Sequence, residues 1–180
     1  ADANNDGRLD LFLAKGNVWK MPDFAERDPN NLLLQKVDGK FEEAGDRAGI
    51  ASFEAARGAA LADFNGDGWI DLIVVNRNTP TEIWRNLGTG APASWVALRP
   101  EQPGSPNRDA VQARVEVRAD GRVQAQEVLI GGGHAGGVLG PLHFGLGSAT
   151  QAEARVIWPD GTTSDWAAVP LNRLTRIERK

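Results

Sequence analysis

The stretch Asp63–Asp71 carries oxygen-bearing side chains at alternate positions of a short loop. Counting Asp63 as position 1, these side chains occupy positions 1, 3, 5 and 9, and a glycine occupies position 6. Alternate spacing in a tight loop turns the oxygens to one side, where they can surround a hard cation, and the glycine permits the turn. The candidate ligands are Asp63, Asn65, Asp67 and Asp71, with the backbone carbonyl of Trp69 at position 7.

The same pattern occurs 61 residues earlier in Asp2–Asp10. One Asp-Gly pair among acids is usually a solvated turn, but a repeat at every ligand position favours metal binding. Calcium suits the pattern better than magnesium, because it accepts many oxygen ligands in an irregular cage. We therefore expect one or two Ca²⁺ ions. The candidate ligands in this loop are Asp2, Asn4, Asp6, the carbonyl of Arg8, and Asp10.

Neither loop is an EF-hand, since position 12 holds Leu13 or Val74 where a bidentate glutamate is required. The flanking residues also read as strands rather than helices. The carboxylates are thus expected to lie in turns between β-strands.

Composition places the chain among ordinary globular proteins, with 180 residues and a net charge of −4. The first 90 residues hold 15 acids against 10 bases, and the loop aspartates account for that excess. There is no basic stripe for nucleic acid, no apolar run long enough for a membrane span, and no cysteine. The start shows no signal-peptide pattern and falls inside the first acidic loop, which suggests a processed chain or a fragment.

Residues 1–90 contain an internal repeat of the size found in blades or solenoid turns. Each acidic loop is followed by an apolar, strand-like run, and the residues from Asn31 to Leu87 supply the strand content of one propeller blade. A Pro- and Gly-rich shift near residue 90 marks a domain boundary. The strands expected in this half are Leu9–Ala14, Asn31–Lys36, Phe41–Glu43, Gly58–Ala62, Ile70–Asn76 and Glu82–Leu87.

Residues 91–180 alternate apolar and polar side chains without helical periodicity. Asp120-Gly121 and Pro159-Asp160-Gly161 predict turns between strands. The fold class predicted for the whole chain is all-β, a partial propeller of about one and a half blades in 1–90 followed by a small antiparallel sandwich or barrel in 91–180. The strands expected in the second half are Trp95–Arg99, Val111–Arg118, Arg122–Ile130, Leu142–Leu146, Ala152–Trp158, Thr162–Ala168 and Leu174–Glu178.

The acidic repeats resemble FG-GAP/VCBS repeats, the calcium-loop blades of integrin-α-like propellers. Three further segments, Asn107-Arg108, Gly145-Leu146-Gly147 and Trp158–Gly161, look like the ASPIC/UnbV domain. This order of domains is similar to the cartilage acidic protein family and its bacterial relatives. The resemblance covers nearly the whole chain. It implies a secreted or periplasmic, calcium-containing module for adhesion or protein contacts, with no known reaction. One departure is His134–Gly137, where the family has an aromatic residue followed by Ser-Gln.

Other candidate chemistry is weaker. Gly131–Gly137 has no Lys-Ser/Thr and no helix to make a phosphate cradle, so we interpret it as an inter-strand loop. His143 alternates with apolar neighbours, which favours a hydrogen-bonded structural role. Trp19, Met21 and Phe24 lie in an extra surface loop, and packing onto the same blade is favoured over a partner contact.

Two functions from different classes follow. The leading hypothesis is a non-catalytic, calcium-stabilised interaction or scaffold module, which belongs to a larger propeller or complex and has protein partners or further blades. The alternative is a carbohydrate-active enzyme, or a module that binds glycan through tryptophan stacking. A glycosidase needs two carboxyls across a cleft, whereas six acids at repeated spacing look like two ligand cages.

Overall fold

The computed structural model describes residues 1–16, 28–132 and 137–180. These residues form β-strands, turns and irregular segments with no helix, so the predicted all-β class is confirmed. None of them makes a helix long and apolar enough to cross a membrane. The predictions for Trp19, Met21, Phe24 and His134 fall outside the described residues.

The described residues of the first half form six strands in two three-stranded antiparallel sheets. One sheet has the order β1-β2-β3 and the other has the order β4-β5-β6. Apolar residues at alternate positions pair across neighbouring strands, as in Leu11 with Leu33 and Leu72 with Trp84. The strands are β1 (Leu11–Leu13), β2 (Asn31–Gln35), β3 (Phe41–Glu43), β4 (Ala56–Ala62), β5 (Asp71–Asn76) and β6 (Glu82–Trp84).

Asn31–Leu87 was expected to supply the strands of one propeller blade, but its strands lie in two separate sheets. Strand β2 pairs with β1 and β3, whereas β4 starts a separate sheet with β5 and β6. The acidic loop precedes the first strand of one sheet, β1, and joins β4 to β5 in the other. Among the described residues, each sheet has three strands and open edges.

A small core lies within this half. Ile50, Ala56, Leu72 and Val74 are buried together, and Phe12, Ala14, Leu32, Leu61 and Trp84 pack against them. Many other apolar side chains are exposed, including Ile83 at 70% and Leu87 at 82%. Burial of apolar surface is the main source of stability, so these six strands have a modest core for their length.

In the second half, the part of the chain that the structure describes forms seven strands in two sheets, with the orders β10-β7-β13 and β12-β11-β8-β9. Alternate residues of both sheets point into one core, which is built on Val96, Leu98, Val115, Val156 and Phe144, all fully buried. This arrangement is a β-sandwich. The strands are β7 (Ser94–Glu101), β8 (Arg114–Ala119), β9 (Arg122–Glu127), β10 (Leu142–Gly147), β11 (Ala152–Ile157), β12 (Ala167–Val169) and β13 (Leu174–Glu178).

Several details of the sandwich differ from the sequence expectation. The expected strands Thr162–Ala168 and Arg122–Ile130 are found as the shorter β12 (Ala167–Val169) and β9 (Arg122–Glu127). Strand β13 pairs with β7 in parallel, from Leu174 opposite Ala97 to Glu178 opposite Glu101. Strand β8 begins at Arg114 rather than Val111, because Ala110 and Gln112 have positive φ angles of 48° and 72° that interrupt extended backbone.

By internal packing the chain divides into two units. The first contains Ala1 and Arg8–Leu87, together with Gly132 and Gly137. The second contains Asp2–Gly7, Gly88–Gly131 and Val138–Lys180. The first six residues of the Asp2 loop thus belong to the second unit.

Candidate functional site: two acidic loops

The Asp63 loop joins β4 to β5 and is organised by hydrogen bonds to its own carboxylates. Asp63 Oδ1 accepts from the amides of Gly66 and Asp67 at 2.8 and 3.2 Å, and its Oδ2 accepts from Gly68 at 2.8 Å. Asn65 Oδ1 accepts from the Asp67 amide at 2.9 Å. Gly66 and Gly68 have φ angles of 76° and 88°, which residues with a side chain rarely adopt. The turn is therefore fixed by its glycines and aspartates.

Asp67 has cationic and amide partners within this loop. Arg85 Nη2 donates to Asp67 Oδ2 at 3.0 Å, and Asn65 Nδ2 donates to the same oxygen at 2.8 Å. The Trp69 amide donates to Oδ1 at 3.0 Å. Burial acts to raise the pKa of the Asp67 carboxyl, but the hydrogen bonds from Trp69, Arg85 and Asn65 outweigh it and hold the pKa below its usual value. The carboxylate is therefore kept ionised.

Asp71, at position 9, is buried and connects the loop to the next strand of the sheet. Its Oδ2 accepts from the Phe64 amide at 3.1 Å, and its Oδ1 accepts from the Asn86 amide at 2.8 Å, just after β6. Asp10 has the same place in the other loop, where its Oδ1 accepts from the Gln35 amide at 2.9 Å at the end of β2. The position-9 aspartate thus serves a structural role in both copies, which sequence reasoning missed.

The Asp2 loop has the same local geometry. Asp2 Oδ1 accepts from the Asp6 amide at 3.1 Å, and its Oδ2 accepts from Gly7 at 2.7 Å. Asn4 Oδ1 accepts from the Asp6 amide at 3.1 Å. Asn5 and Gly7 have φ angles of 57° and 82°, so positions 4 and 6 are left-handed in this loop also. Arg8 lies in the first unit, where its Nε donates to the Gln35 carbonyl at 3.1 Å.

The two loops differ in exposure. Asp2 and Asn5 are buried, whereas Asp63 is half-buried and its neighbours Phe64 to Asp67 are exposed. Across the described residues, no three His, Cys, Asp or Glu side chains are grouped closely enough to hold a metal ion. The donor set is composed of hard oxygens, as calcium requires, but the carboxylates are engaged by the loop's own amides rather than converged on a point. Calcium binding at either loop stays a prediction.

Of the two histidines, His143 lies within the described residues and is hydrogen-bonded, as expected. Its Nε2 is 2.7 Å from Asn5 Oδ1, and its ring stacks on Trp95 with centroids 5.5 Å apart. Sequence reasoning did not identify Asn5 as the partner. The one available signal was the asparagine at position 4 of the first loop, where the second loop has Gly66.

The segments that resemble ASPIC/UnbV have structural roles in the sandwich. The Asn107 side chain closes a turn by bonding both backbone polar groups of Val111. Its Oδ1 accepts from the Val111 amide and its Nδ2 donates to the Val111 carbonyl, each at 2.9 Å. Trp158 is buried, and Arg179 lies over its ring at 5.6 Å. Arg179 also pairs with Asp160 at 2.6 Å, so β13 is attached to the Trp158–Gly161 turn. These contacts stabilise the sandwich and suggest no reaction.

Comparison with known proteins matches both halves. Residues 2–74 match the FG-GAP-like repeat family, and residues 103–180 match the family described as ASPIC and UnbV. Each half of the chain therefore matches one of the two families that its sequence resembles. The expected resemblance is thereby confirmed.

Relatives include three proteins named cartilage acidic protein 1. The chain is 32% identical to that of Xenopus tropicalis over 91 residues, which is 49% of this chain and 14% of the relative. It is 38% identical to the Homo sapiens protein over 65 residues, 36% of this chain and 10% of the relative. It is 24% identical to the Mus musculus protein over 164 residues, 89% of this chain and 25% of the relative. The chain thus spans a quarter or less of each relative's length.

Proposed function

We propose that this FG-GAP and ASPIC/UnbV chain is a non-catalytic, calcium-stabilised interaction or scaffold module of a larger extracellular or periplasmic protein. The observation that carries the proposal is the common geometry of the two loops. In both, the position-1 aspartate accepts from the amides of positions 5 and 6. In both, positions 4 and 6 have positive φ. Two loops 61 residues apart with one backbone shape support a common ligand.

The metal's role in this proposal is structural. A bound Ca²⁺ would neutralise clustered carboxylates that otherwise repel one another and would fix the turn between two strands. Asp63, Asn65, Asp67 and Asp71, with the Trp69 carbonyl, would hold it in the second loop. Asp2, Asn4, Asp6 and Asp10, with the Arg8 carbonyl, would do so in the first. An extracellular or periplasmic location agrees with this role, because extracellular calcium modules work at millimolar calcium.

The proposed partners are further blades of the same polypeptide or another protein. The β6 edge and the side chains of Ile83 and Leu87 are exposed, and a fourth strand placed there would cover them. The relatives extend well beyond the matched region, which leaves room for further repeats. Open sheet edges with apolar side chains are otherwise sites of aggregation.

No observation favours the carbohydrate-active alternative. The loop carboxylates accept hydrogen bonds from their own backbone amides, whereas a glycosidase needs an acid and a base across a cleft. The shared name of the relatives denotes an acidic protein and gives no reaction. Glycan binding through tryptophan stacking is a separate hypothesis, and a glycan-array measurement would detect it.

Thermal unfolding of the whole chain with calcium and with a chelator tests the proposal. Calcium is expected to raise the midpoint, and Asp67→Ala should reduce that gain while changing the midpoint in chelator little. The matched control is Asp38→Ala, because Asp38 lies in the exposed hairpin turn outside both loops. Equal midpoints in calcium and chelator for the wild-type chain would contradict the proposal.

A further inference from the structure

Residues Asp2–Gly7 begin the segment that matches the FG-GAP-like repeat, yet they pack within the same unit as the ASPIC/UnbV sandwich. They contact β10 in one sheet of the sandwich and β9 in the other. Chain proximity does not explain this, because more than a hundred residues separate the loop from either strand. The packing is therefore a tertiary contact that both partners must be shaped to make.

Three backbone carbonyls of the loop accept hydrogen bonds from the sandwich. The Gly147 amide donates to the Asn5 carbonyl at 2.8 Å. Arg122 donates to the carbonyls of Gly7 at 3.1 Å and Asp6 at 3.4 Å. The side-chain oxygens of Asp2 and Asn4 accept hydrogen bonds from amides inside the loop. The carbonyls of Asn5, Asp6 and Gly7 that the sandwich binds are not among the proposed metal ligands.

Gly145 leaves room for the loop. Its φ is not in the left-handed region, so the backbone alone does not require glycine there. A Cβ at this position would lie 2.5 Å from Asn5 Cα and 2.7 Å from Asn5 C, and closer still to Asp2 Oδ2. Since two of these three atoms belong to backbone, a side chain at Gly145 would force the loop to move.

Asn5 distinguishes this loop from the other one. The residue at position 4 has a left-handed backbone conformation in both loops. In the second loop this residue is Gly66, which adopts the conformation at a lower steric cost than asparagine does. No described atom lies within 4 Å of a Cβ built on Gly66. Asn5, in contrast, is buried and its Oδ1 is 2.7 Å from His143 Nε2. The asparagine is therefore explained by its contact with the sandwich rather than by the turn.

We infer that Gly145, Gly147, His143 and Arg122 form a receptor on the ASPIC/UnbV sandwich for the acidic loop of the preceding repeat, with Asn5 as the specificity-determining residue. The receptor recognises a left-handed Asx-type loop that carries asparagine at position 4. A loop with glycine at that position, such as the Asp63 loop, has the same backbone shape without the side chain that His143 contacts. The inference does not depend on calcium binding.

Amide hydrogen exchange of the whole chain, measured by NMR in chelator, tests the receptor. In Gly145→Ala the amides of Asp6, Gly7 and Gly147 should exchange faster by on the order of tenfold, as expected when a buried hydrogen-bonded contact is lost. Amides of β8 and β11 should keep their protection. The matched control is Gly131→Ala, since Gly131 has no described atom within 4 Å of its Cβ position and no positive φ.

A second pair of variants separates docking from loop shape and covers the case in which Gly145→Ala fails to fold. Asn5→Gly keeps a left-handed residue at position 4 and removes the His143 contact, so the Gly147 amide should lose protection. Gly66→Asn makes the opposite exchange in the other loop and should leave the Gly147 amide unchanged. Wild-type protection of Asp6, Gly7 and Gly147 in both Asn5→Gly and Gly145→Ala would overturn the inference.

Discussion

At the scale of single residues, the acidic loops show how an aspartate can be satisfied by backbone alone. Asp63 accepts hydrogen bonds from three amides of its own loop. Asp71 accepts one from the loop, at Phe64, and one from Asn86, just after β6. The ligand positions and the glycines were readable from the sequence because the loop is local. The partners Arg85 and Asn86 were not predicted. They follow β6, and the pairing of β6 with β5, which no local pattern encodes, brings them to the loop.

The first prediction concerns Arg85, which competes with a cation for Asp67. Removal of its charge in Arg85→Gln should raise the calcium affinity of the Asp63 loop by roughly two- to fivefold, the range of an exposed ion pair. Arg47→Gln removes a similar exposed pair, with Glu42, and should leave the affinity unchanged. Calcium titration of both variants at low ionic strength makes the comparison. A lower affinity in Arg85→Gln would contradict the assigned role.

The second prediction concerns pH and Asp160. Hydrogen bonds from Arg179 and Thr162 lower the pKa of the Asp160 carboxyl from 3.8 to about 2. Because the folded pKa is depressed, its stabilising contribution is present above pH 4 and is lost as the pH falls towards 2. The difference in unfolding free energy between wild type and Asp160→Asn should therefore shrink from pH 6 to pH 2 in urea titrations. A constant difference would contradict the ion pair's role.

At the scale of elements, turns were the most predictable features. Asp120 and Gly121 have φ angles of 46° and 74°, as a two-residue hairpin turn requires, and Ala119 pairs with Arg122 beside it. Strand β13 was found in sequence, but its parallel pairing with β7 was not. That pairing depends on which edge of the sheet is open, and no local pattern encodes it.

The third prediction tests the Asp120-Gly121 turn. Gly121→Ala has open space for its methyl group but a φ of 74°, so it should destabilise the sandwich by about 1–2 kcal/mol. Gly131→Ala, at an ordinary φ, should change stability by less than about 0.5 kcal/mol. Urea unfolding measures both. Equal effects would show that the turn does not depend on its left-handed residue.

At the scale of the whole molecule, sequence periodicity predicted an all-β chain but not how its strands are shared among sheets. The repeat was visible because its acidic loop recurs. The division of the strands between two sheets was not predicted, because β3 and β4 are equally strand-like and only tertiary packing assigns each of them to its sheet. Because the strands of the first unit are divided between two small sheets, apolar residues such as Val75 and Ile83 remain exposed.

The fourth prediction follows from these open edges. Residues 1–180 expressed alone should self-associate, because Ile83 and Leu87 remain uncovered. Ile83→Lys with Leu87→Lys should reduce association in sedimentation velocity. Val37→Lys with Val123→Lys changes exposed positions away from β6 and is the matched control. A wild-type monomer at high concentration would contradict the role assigned to the β6 edge.

Calcium titration calorimetry of the whole chain tests the central claim most directly. The account predicts binding with a dissociation constant of about 0.1–1 mM, the range of extracellular calcium modules. It also predicts that Asp67→Ala removes the transition of the Asp63 loop and leaves that of the Asp2 loop. No binding heat at millimolar calcium, or an unchanged titration in Asp67→Ala, would contradict a calcium-stabilised module.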